Sequence, residues 1–266
     1  MTQIHQTSSL ETTNWVGIRT LAEKEIGRFL NVYLQTIIAP VVTTFLFYVI
    51  FTLAFGGNAG RGIEGVPYMQ FLVPGLIMMG MAQNAFANTA SSIVIGKVQG
   101  NIIDVLMPPL APWELLVGYM AGGIFRGMLI GFLSILILVP FIGIPIDNIG
   151  IIALFGFLGT SMLALLGVVG GMWSDKFDHI AAVTNFIVMP MTFLSGTFYS
   201  IDRLPPLWRD IAHANPFFFM IDGFRAGFLG LSDMPIMIGI MVLLGVNIIL
   251  WGIAHRMLKT GYKIKS

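Results

Sequence analysis

The chain has 266 residues, of which 56% are apolar and only 10% are charged, and its formal net charge is +1. Because an ordinary soluble domain carries about 25% charged residues, this composition and the mean hydropathy of +0.86 indicate an integral membrane protein. The small net charge does not favour nucleic-acid binding, and the absence of cysteine excludes disulfides, thiolate catalysis and thiolate metal sites.

Six apolar runs are each long enough to cross a membrane as a helix. They cover approximately residues 32–55, 69–95, 113–140, 149–173, 179–199 and 234–256, and are numbered here as segments one to six. We therefore expect an all-α membrane protein with a single domain, residues 1–266, whose six-span bundle occupies residues 32–256. Residues 1–31 should hold a cytoplasmic tail and an interfacial helix, and residues 257–266 a second cytoplasmic tail. No signal-peptide pattern precedes Val32, so we expect the amino terminus to be retained.

Lysines and arginines predict the orientation, because cytoplasmic loops hold their excess. If both termini are cytoplasmic, that side holds Arg19, Lys24, Arg28, Lys97, Lys176, Arg256, Lys259, Lys263 and Lys265, and the other side holds Arg61, Arg203, Arg209 and Arg225. Arg126, inside segment three, belongs to neither group. An even number of spans with both termini in the cytoplasm fits this asymmetry, and it places the connection at residues 200–233 outside the cytoplasm.

Residues 14–31 predict an amphipathic helix that lies along the cytoplasmic interface. Its apolar stripe consists of Trp15, Ile18, Ala22, Ile26, Phe29 and Tyr33, while Arg19, Glu23, Lys24 and Arg28 lie off the stripe. The helix is either a simple membrane anchor or a lever that touches a cytosolic partner, with Arg19 and Glu23 as its candidate contact residues.

Polar side chains recur at helical spacing inside two apolar segments. Segment two holds Asn84, Asn88 and Ser91, and segment five holds Asn185, Thr192 and Ser195. Buried amides and hydroxyls are costly against lipid, so both stripes should face protein or a cavity. They are candidates for lining a translocation path, and hydrogen bonding between helices is the alternative.

A short apolar turn follows segment two on the cytoplasmic side. Ile102, Ile103, Val105 and Leu106 predict a helix too short to span, and Pro108 and Pro109 end it. Such a turn either caps the bundle or serves as a docking element.

Segments three and five contain residues that need a special explanation. Gly123, Gly127 and Gly131 recur every four residues, as do Gly118 and Gly122, and such stripes let helices approach closely. Arg126 snorkels at the interface if the span is 127–146, which we favour, but needs a buried partner if the span is 113–140. Pro190 should kink segment five, as a gate hinge or as static packing.

The connection between Tyr199 and Pro235 is too apolar for an aqueous loop. Its helix at residues 216–229 is only about 21 Å long, too short to cross a hydrocarbon core of about 30 Å, so we expect a re-entrant hairpin. Asn215 should cap this helix, whose first residue is Pro216. Asp222 and Arg225, three residues apart, either form a local ion pair or belong with Asn215, Pro216 and Phe218 to an outer lid.

These elements resemble, in their order and spacing, the ABC-2 type permease family, the membrane subunits of ATP-binding cassette exporters. The residues that carry the resemblance are 68–75 (YMQFLVPG), 101–109 and 215–230 (beginning Asn-Pro), together with the interfacial helix and the six spans. The resemblance implies that residues 99–109 form a coupling helix seated in a nucleotide-binding subunit, beside the N-terminal helix. Its candidate coupling residues are Gln99, Asn101, Ile102, Asp104 and Leu106. The family also implies that segments two and five of two subunits meet at the central path.

No G-x-x-x-x-G-K-[ST] phosphate loop occurs in the chain. The resemblance therefore implies cytosolic ABC ATPase partners that bind the ATP and Mg²⁺, with no cofactor, metal or catalytic site on this chain and a second permease copy as a homodimer partner. We expect a bacterial inner-membrane exporter, surrounded by lipid, that binds no nucleic acid. The apolar lining and the lack of buried charge pairs favour an amphipathic or lipid-linked cargo. The alternatives are an ATP-independent secondary transporter or channel, and a non-transporting membrane scaffold.

Overall fold

A computed structural model describes residues 13–55, 65–201 and 204–263, and of Phe55 and Leu106 it describes only the backbone. The described residues form helices and connecting turns without a β-strand, so the all-α prediction is confirmed for them. The helices are α1 (Trp15–Leu30), α2 (Ala39–Phe55), α3 (Tyr68–Val98), α4 (Ile102–Leu106), α5 (Pro112–Ile142), α6 (Ile149–Trp173), α7 (Phe177–Val183), α8 (Met189–Leu194), α9 (Pro206–Ala214), α10 (Pro216–Leu229) and α11 (Ile236–Thr260).

Five helical stretches of the described chain are long and apolar enough to cross a membrane. They are Leu34–Ala54, Pro112–Ile142, Ile149–Trp173, Phe177–Leu194 and Ile236–Thr260, and each coincides with a predicted segment. Segment two is α3, which is 31 residues long but carries more polar side chains. It lies at the centre of the bundle against α5, α6 and α10. Its polar groups therefore face protein rather than lipid, which explains why its composition is less apolar.

The predicted role of the glycine stripe in α5 is confirmed. A methyl group added at Gly127 would lie 2.7 Å from Thr160 Cγ2 and 2.8 Å from the Met81 carbonyl oxygen. A methyl group at Gly118 would lie 2.6 Å from Leu21 Cδ2. The absence of side chains along this stripe thus lets α3 and α6 pack against the middle of α5, and α1 against its beginning.

Two π-helical turns precede the prolines of segments one and five. The turn Leu34–Ile38 is followed by Pro40, and the turn Thr184–Val188 is followed by Pro190. Proline cannot donate its backbone hydrogen bond, and a wider turn is one way for a helix to absorb that loss. The irregularity expected at Pro190 is present, while its use as a hinge stays a prediction.

The bundle has two ends, called here the α4 end and the α9 end. At the α4 end, Asp175 lies 3.6 Å from Lys97 Nζ and 3.0 Å from Lys263 Nζ, which joins the end of α3 and the turn after α11 to the turn after α6. At the α9 end, the Tyr68 hydroxyl donates to the Phe198 carbonyl at 3.1 Å. The predicted hairpin (α9 and α10) and the predicted coupling helix (α4) therefore lie at opposite ends.

Candidate functional site at the α4 end of the bundle

Helix α1 runs alongside the first half of α5, in the same direction. Leu21 lies against Gly118, and Glu25 lies against Gly122. The Phe29 and Phe125 rings follow, with centroids 6.2 Å apart. The buried face of α1 consists of Ile18, Leu21, Glu25 and Phe29.

The predicted apolar stripe of α1 coincides only in part with the face that packs on α5, since Ile18 and Phe29 belong to both. Trp15 is 70% exposed and Tyr33 is 53% exposed. Large aromatic residues that do not contact the rest of the protein suit a membrane surface. The predicted stripe therefore combined residues of two faces of α1, the face packed on α5 and an exposed face. The interfacial position of α1 stays a prediction.

Glu114, which sequence reasoning missed, fixes the beginning of α1 to the beginning of α5. Its buried carboxylate accepts hydrogen bonds from the backbone N–H of Asn14 and of Ala111, both at 2.7 Å. The Asn14 side chain in turn caps α1 by accepting from Gly17 N at 2.9 Å. A glutamate three residues after a helix start is the sequence signal of such a cap.

Glu25 is the second residue that sequence reasoning missed. Its side chain is fully buried, accepts a hydrogen bond from Ser92 Oγ at 2.6 Å, and lies 3.4 Å from Arg28 Nη2. A charge on the apolar face of α1, at the 18–21–25–29 spacing, was the available signal. The expectation that the protein has no buried charge pair is therefore wrong. The absence of such pairs can no longer be used to favour an amphipathic cargo.

Arg28 extends from α1 onto the predicted polar stripe of α3. Its Nη2 donates to the Asn88 carbonyl at 2.7 Å and to Asn88 Oδ1 at 3.1 Å, and its Nη1 reaches Ser91 Oγ at 3.4 Å. One turn away, Arg126 Nη2 donates to Asn84 Oδ1 at 2.8 Å. All three residues of the stripe, Asn84, Asn88 and Ser91, thus have partners within this chain. This is the arrangement expected if the stripe serves hydrogen bonding between helices rather than a translocation path.

The favoured span for Arg126 is wrong, because α5 does not extend to residue 146. It ends at Ile142, and Gly143 takes the left-handed conformation that terminates it. A span of about 20 residues counted back from Ile142 begins near Gly123 and includes Arg126. Arg126 then lies about one turn inside that limit, with the half-buried Asn84 as its partner, and its depth in the membrane stays a prediction.

A cavity of about 740 Å³ separates α1 from α4. Its polar lining residues are Asn14, Thr20, Lys24, Arg28, Ser92, Gln99, Asn101, Asp104 and Tyr119. Two elements that the sequence singled out separately, the N-terminal helix and the turn after segment two, therefore form one surface. Among the described residues, no group of three or more His, Asp or Glu side chains is placed to hold a metal ion.

The predicted coupling residues lie on or near this surface. Ile102 is buried and anchors α4, whereas Gln99, Asn101 and Asp104 are exposed. Two apolar neighbours also face outward, Ile103 at 60% and Met107 at 75% exposure. Arg19 and Glu23 form an exposed ion pair on α1, with Nε and Oε1 2.7 Å apart. The Leu106 side chain lies outside the described atoms, and the coupling role stays a prediction.

The predicted polar stripe of segment five does not form one face. Asn185 is exposed, whereas Thr192 and Ser195 are buried. Thr192 Oγ1 donates to the Val188 carbonyl at 2.6 Å, and Ser195 Oγ accepts from Asn215 Nδ2 at 2.8 Å. The structure therefore does not bring Asn185 together with the other two.

The residues predicted for the outer lid lie on α10 and at its start. Asn215 caps the helix, accepting from Phe217 N at 3.1 Å, as predicted, and Pro216 is its first residue. Phe218 is buried, and the His213 ring meets it edge-on with centroids 5.2 Å apart. Helix α10 packs against α3, α6 and α11, so the hairpin enters the bundle.

Asp222 and Arg225 have separate partners. The Asp222 carboxylate accepts from Ser232 Oγ at 2.8 Å and from Asp233 N at 3.0 Å, which fixes the turn before α11. Arg225 Nη2 donates to the Gly196 carbonyl at 2.6 Å, and the guanidinium lies 3.7 Å from the Phe71 ring centroid. The ion pairs among the described residues do not include Asp222 with Arg225, so the predicted pairing is not observed.

Comparison with known proteins places this architecture in a family. The family model described as ABC-2 type transporter matches residues 16–229. The chain is 38% identical over 246 residues to the Inner membrane transport permease YadH of Escherichia coli K12, covering 91% of this chain and 96% of YadH. It is 27% identical over 201 residues to Nodulation protein J of Rhizobium leguminosarum bv. viciae, covering 70% and 75% of the two chains.

A more distant relative carries a name that mentions drugs. The chain is 23% identical over 178 residues to an Escherichia coli K12 protein named "Probable multidrug ABC transporter permease YbhS", covering 65% of this chain and 46% of the relative. The family match includes every element described above from α1 to α10. The chain belongs to the ABC-2 type transporter family and is a transport permease with several membrane-spanning helices.

Proposed function

We propose that this protein is the transmembrane permease subunit of an ABC exporter, which moves an amphipathic or lipid-linked substrate outward with energy from a separate cytosolic ATPase. The observation that carries this proposal is the surface formed by α1 and α4. These helices flank one cavity at the end of the bundle where Lys97, Asp175 and Lys263 meet. Clustered lysines favour the cytoplasm as the location of that end.

The exposed composition of α4 supports a protein partner. Ile103 and Met107 present apolar surface beside the exposed polar side chains of Gln99, Asn101 and Asp104. An apolar centre with a polar rim is typical of a surface that docks another protein. Since the sequence has no phosphate loop, ATP binding and hydrolysis belong to that partner in this proposal.

We propose six spans, with α3 as the second, and both termini in the cytoplasm. At 31 residues, α3 is about 46 Å long, more than the hydrocarbon thickness of about 30 Å. It runs from the α9 end of the bundle to the α4 end. A membrane span that connects segment one to segment three has to run between these two ends. In this arrangement α1 lies at the cytoplasmic interface, and the hairpin of α9 and α10 re-enters from the opposite side.

We also propose a homodimer. The outward face of segment five consists of Asn185, Phe186, Met189 and Phe193, of which Phe186 is 81% exposed. A second copy would cover this face and enclose a central path between the two subunits. Lipid would cover the remaining apolar surface of α2 and α11.

A secondary transporter is the second candidate, because one observation favours it. Glu25 is a fully buried carboxylate beside Arg28. In this second candidate α1 would lie within the membrane, where carboxylates serve as proton relays. The two candidates differ in their dependence on ATP. The buried pair also fits a structural role, since it joins α1 to α3 through Ser92.

The test is gentle affinity purification of the tagged permease from its native membrane, followed by identification of stoichiometric partners. Copurification of a chain with a phosphate loop, and ATPase activity that rises when the two are reconstituted together, would support the proposal. A permease that purifies without such a chain, and that transports in ATP-free vesicles with a proton gradient, would establish the secondary transporter instead.

A further inference from the structure

Two arginines from different helices meet one face of α3, one helical turn apart. Arg126 of α5 binds Asn84 Oδ1 at 2.8 Å, and Arg28 of α1 binds Asn88 Oδ1 at 3.1 Å. Since Asn84 and Asn88 are four residues apart, the two contacts are about 6 Å apart along the axis of α3.

This cluster has more hydrogen-bond donors than acceptors. The Nε atoms of Arg28 and Arg126 and the Nδ2 atom of Asn88 are buried, and the described part of the chain supplies no hydrogen-bond partner for any of them. Asn88 itself is fully buried. Buried donors without acceptors are costly, so an acceptor-rich group placed among them would be held strongly.

The charges of the cluster favour an anion in the same way. Glu25 lies 3.4 Å from Arg28, and its other oxygen accepts from Ser92. The ion pairs of the described residues do not include Arg126. Of the two guanidinium groups, only that of Arg28 has a carboxylate within ion-pair distance among the described residues. Guanidinium groups bind phosphate and carboxylate oxygens through charge-assisted hydrogen bonds.

The lengths of two helices place this cluster at the depth of lipid head groups. Twenty residues of α3 counted from Tyr68 end at Ala87, and twenty residues of α5 counted back from Ile142 begin at Gly123. About 20 residues cross the hydrocarbon core. Both counts locate the inner limit of the core beside Asn88 and Arg126.

The residues around the cluster reach the surface on two sides. On one side Ala87 is exposed and Asn84 and Ser91 are half-buried, while Asn88 between them is buried. On the other side, Arg28 lines the cavity between α1 and α4, as does Lys24 one turn earlier. Three cations, Lys24, Arg28 and Arg126, thus follow one another from the α4 end towards the middle of α5.

We infer that Arg28, Arg126 and Asn88 form a binding site for the anionic head group, phosphate or carboxylate, of an amphiphilic substrate taken from the cytoplasmic leaflet. The transport part of this inference rests on the proposed function, but the binding does not. An amphiphile would place its head group among the free donors while its tail stays in the apolar surroundings of α2 and α3.

Binding can be measured on the purified permease without any ATPase, so its failure is distinct from failure of the proposed function. The probes are lysophosphatidic acid and lysophosphatidylcholine, equal in tail and different in head-group charge, added at equal concentration before native mass spectrometry. We expect the wild type to retain the anionic lipid at least about tenfold better, as one charge-assisted hydrogen bond allows.

Arg126→Gln and the double variant R28Q/R126Q should reduce that preference to within about twofold of equal binding. Arg126→Lys should keep part of it, since a point charge remains without the planar fork. Arg256→Gln removes the same charge from the exposed end of α11 and should leave the preference unchanged. Thermal unfolding of each variant identifies any variant that fails to fold. If Arg126→Gln fails to fold, Arg126→Lys still tests the inference.

Excess inorganic phosphate distinguishes two kinds of site. Phosphate would displace the lipid from a site that binds the head group alone. It would not displace the lipid from a site that also holds the tail. Equal retention of both lipids by the wild type would overturn the inference. So would a preference that survives R28Q/R126Q but is lost in Arg256→Gln, because the lipid would then bind the charged surface.

Discussion

The backbone N–H of Asn14 donates to Glu114 Oε1 at 2.7 Å, which ties together two residues 100 positions apart in sequence. The other oxygen of the same carboxylate accepts from Ala111 N at the start of α5. One side chain therefore caps the beginning of α5 and holds the beginning of α1 beside it.

Glu114→Ala should destabilise the protein by about 2–3 kcal/mol, because it leaves two backbone donors without their charged acceptor. The measurement is thermal unfolding of the purified permease. Glu23→Ala is the matched control, since it removes an exposed ion pair within one helix, and such pairs contribute little to stability. Equal effects of the two variants would contradict the assigned role of Glu114.

Gly127→Ala should cost several times more than alanine at an open glycine. The added methyl group would meet Thr160 Cγ2 and the Met81 carbonyl oxygen below 3 Å, and overpacking of this kind costs about 1–3 kcal/mol. At Gly245 of α11 a methyl group meets nothing within 4 Å, so Gly245→Ala should be neutral or stabilising by up to about 1 kcal/mol. Folded yield and unfolding temperature decide the comparison, and a neutral Gly127→Ala would refute the close approach of α5 to α3.

Asp104→Lys should weaken association with the ATPase about tenfold or more, because it reverses a charge on the exposed rim of α4. Asp178→Lys makes the same change at an exposed site of α7 and should leave association unchanged. The measurement is copurification at several salt concentrations. If the two variants behave alike, α4 is not the docking element.

Asn215→Ala should loosen the hairpin of α9 and α10. Asn215 caps α10 and also donates to the Met191 carbonyl at 2.8 Å and to Ser195 Oγ, so its loss should cost about 1–2 kcal/mol. Hydrogen exchange of α10 should rise while that of α1 stays constant. Protection of α10 that is unchanged would show that the cap does not hold the hairpin.

Below pH 8, the contact between Asp175 and Lys263 should be lost only in acid. The hydrogen bond from Lys263 lowers the pKa of the exposed Asp175 carboxyl. A lowered pKa means that the contact is fully present above the ordinary carboxyl value of about 4 and is lost as the pH falls through the lowered one. The measurement is the difference in unfolding temperature between the wild type and Asp175→Asn, which should be constant from pH 8 to about pH 5 and should vanish in stronger acid. A difference that persists unchanged in strong acid would contradict the contact.

Length and hydropathy were sufficient to locate the helices, since five predicted segments coincide with five apolar helices. The glycine stripe of α5 was also predictable, because spacing alone states which residues share a face. Periodicity does not identify the helix against which each face packs. Glu25 was missed because its burial depends on Ser92 and Arg28, and the end of α5 was misplaced because the turn at Gly143 stops an apolar run that continues.

The packing of α1 on α5 has a consequence for biogenesis. A ribosome synthesises roughly 5–20 residues per second, so α1 is complete roughly 5–20 s before its partner surface at Gly118 and Gly122 exists. For the first part of that interval Glu25 has neither Ser92 nor α5 to cover it, and for the rest it lacks α5. The exposed Trp15 of α1 suits a membrane surface in the meantime. Helix α1 therefore docks late, only after the first half of α5 has been synthesised.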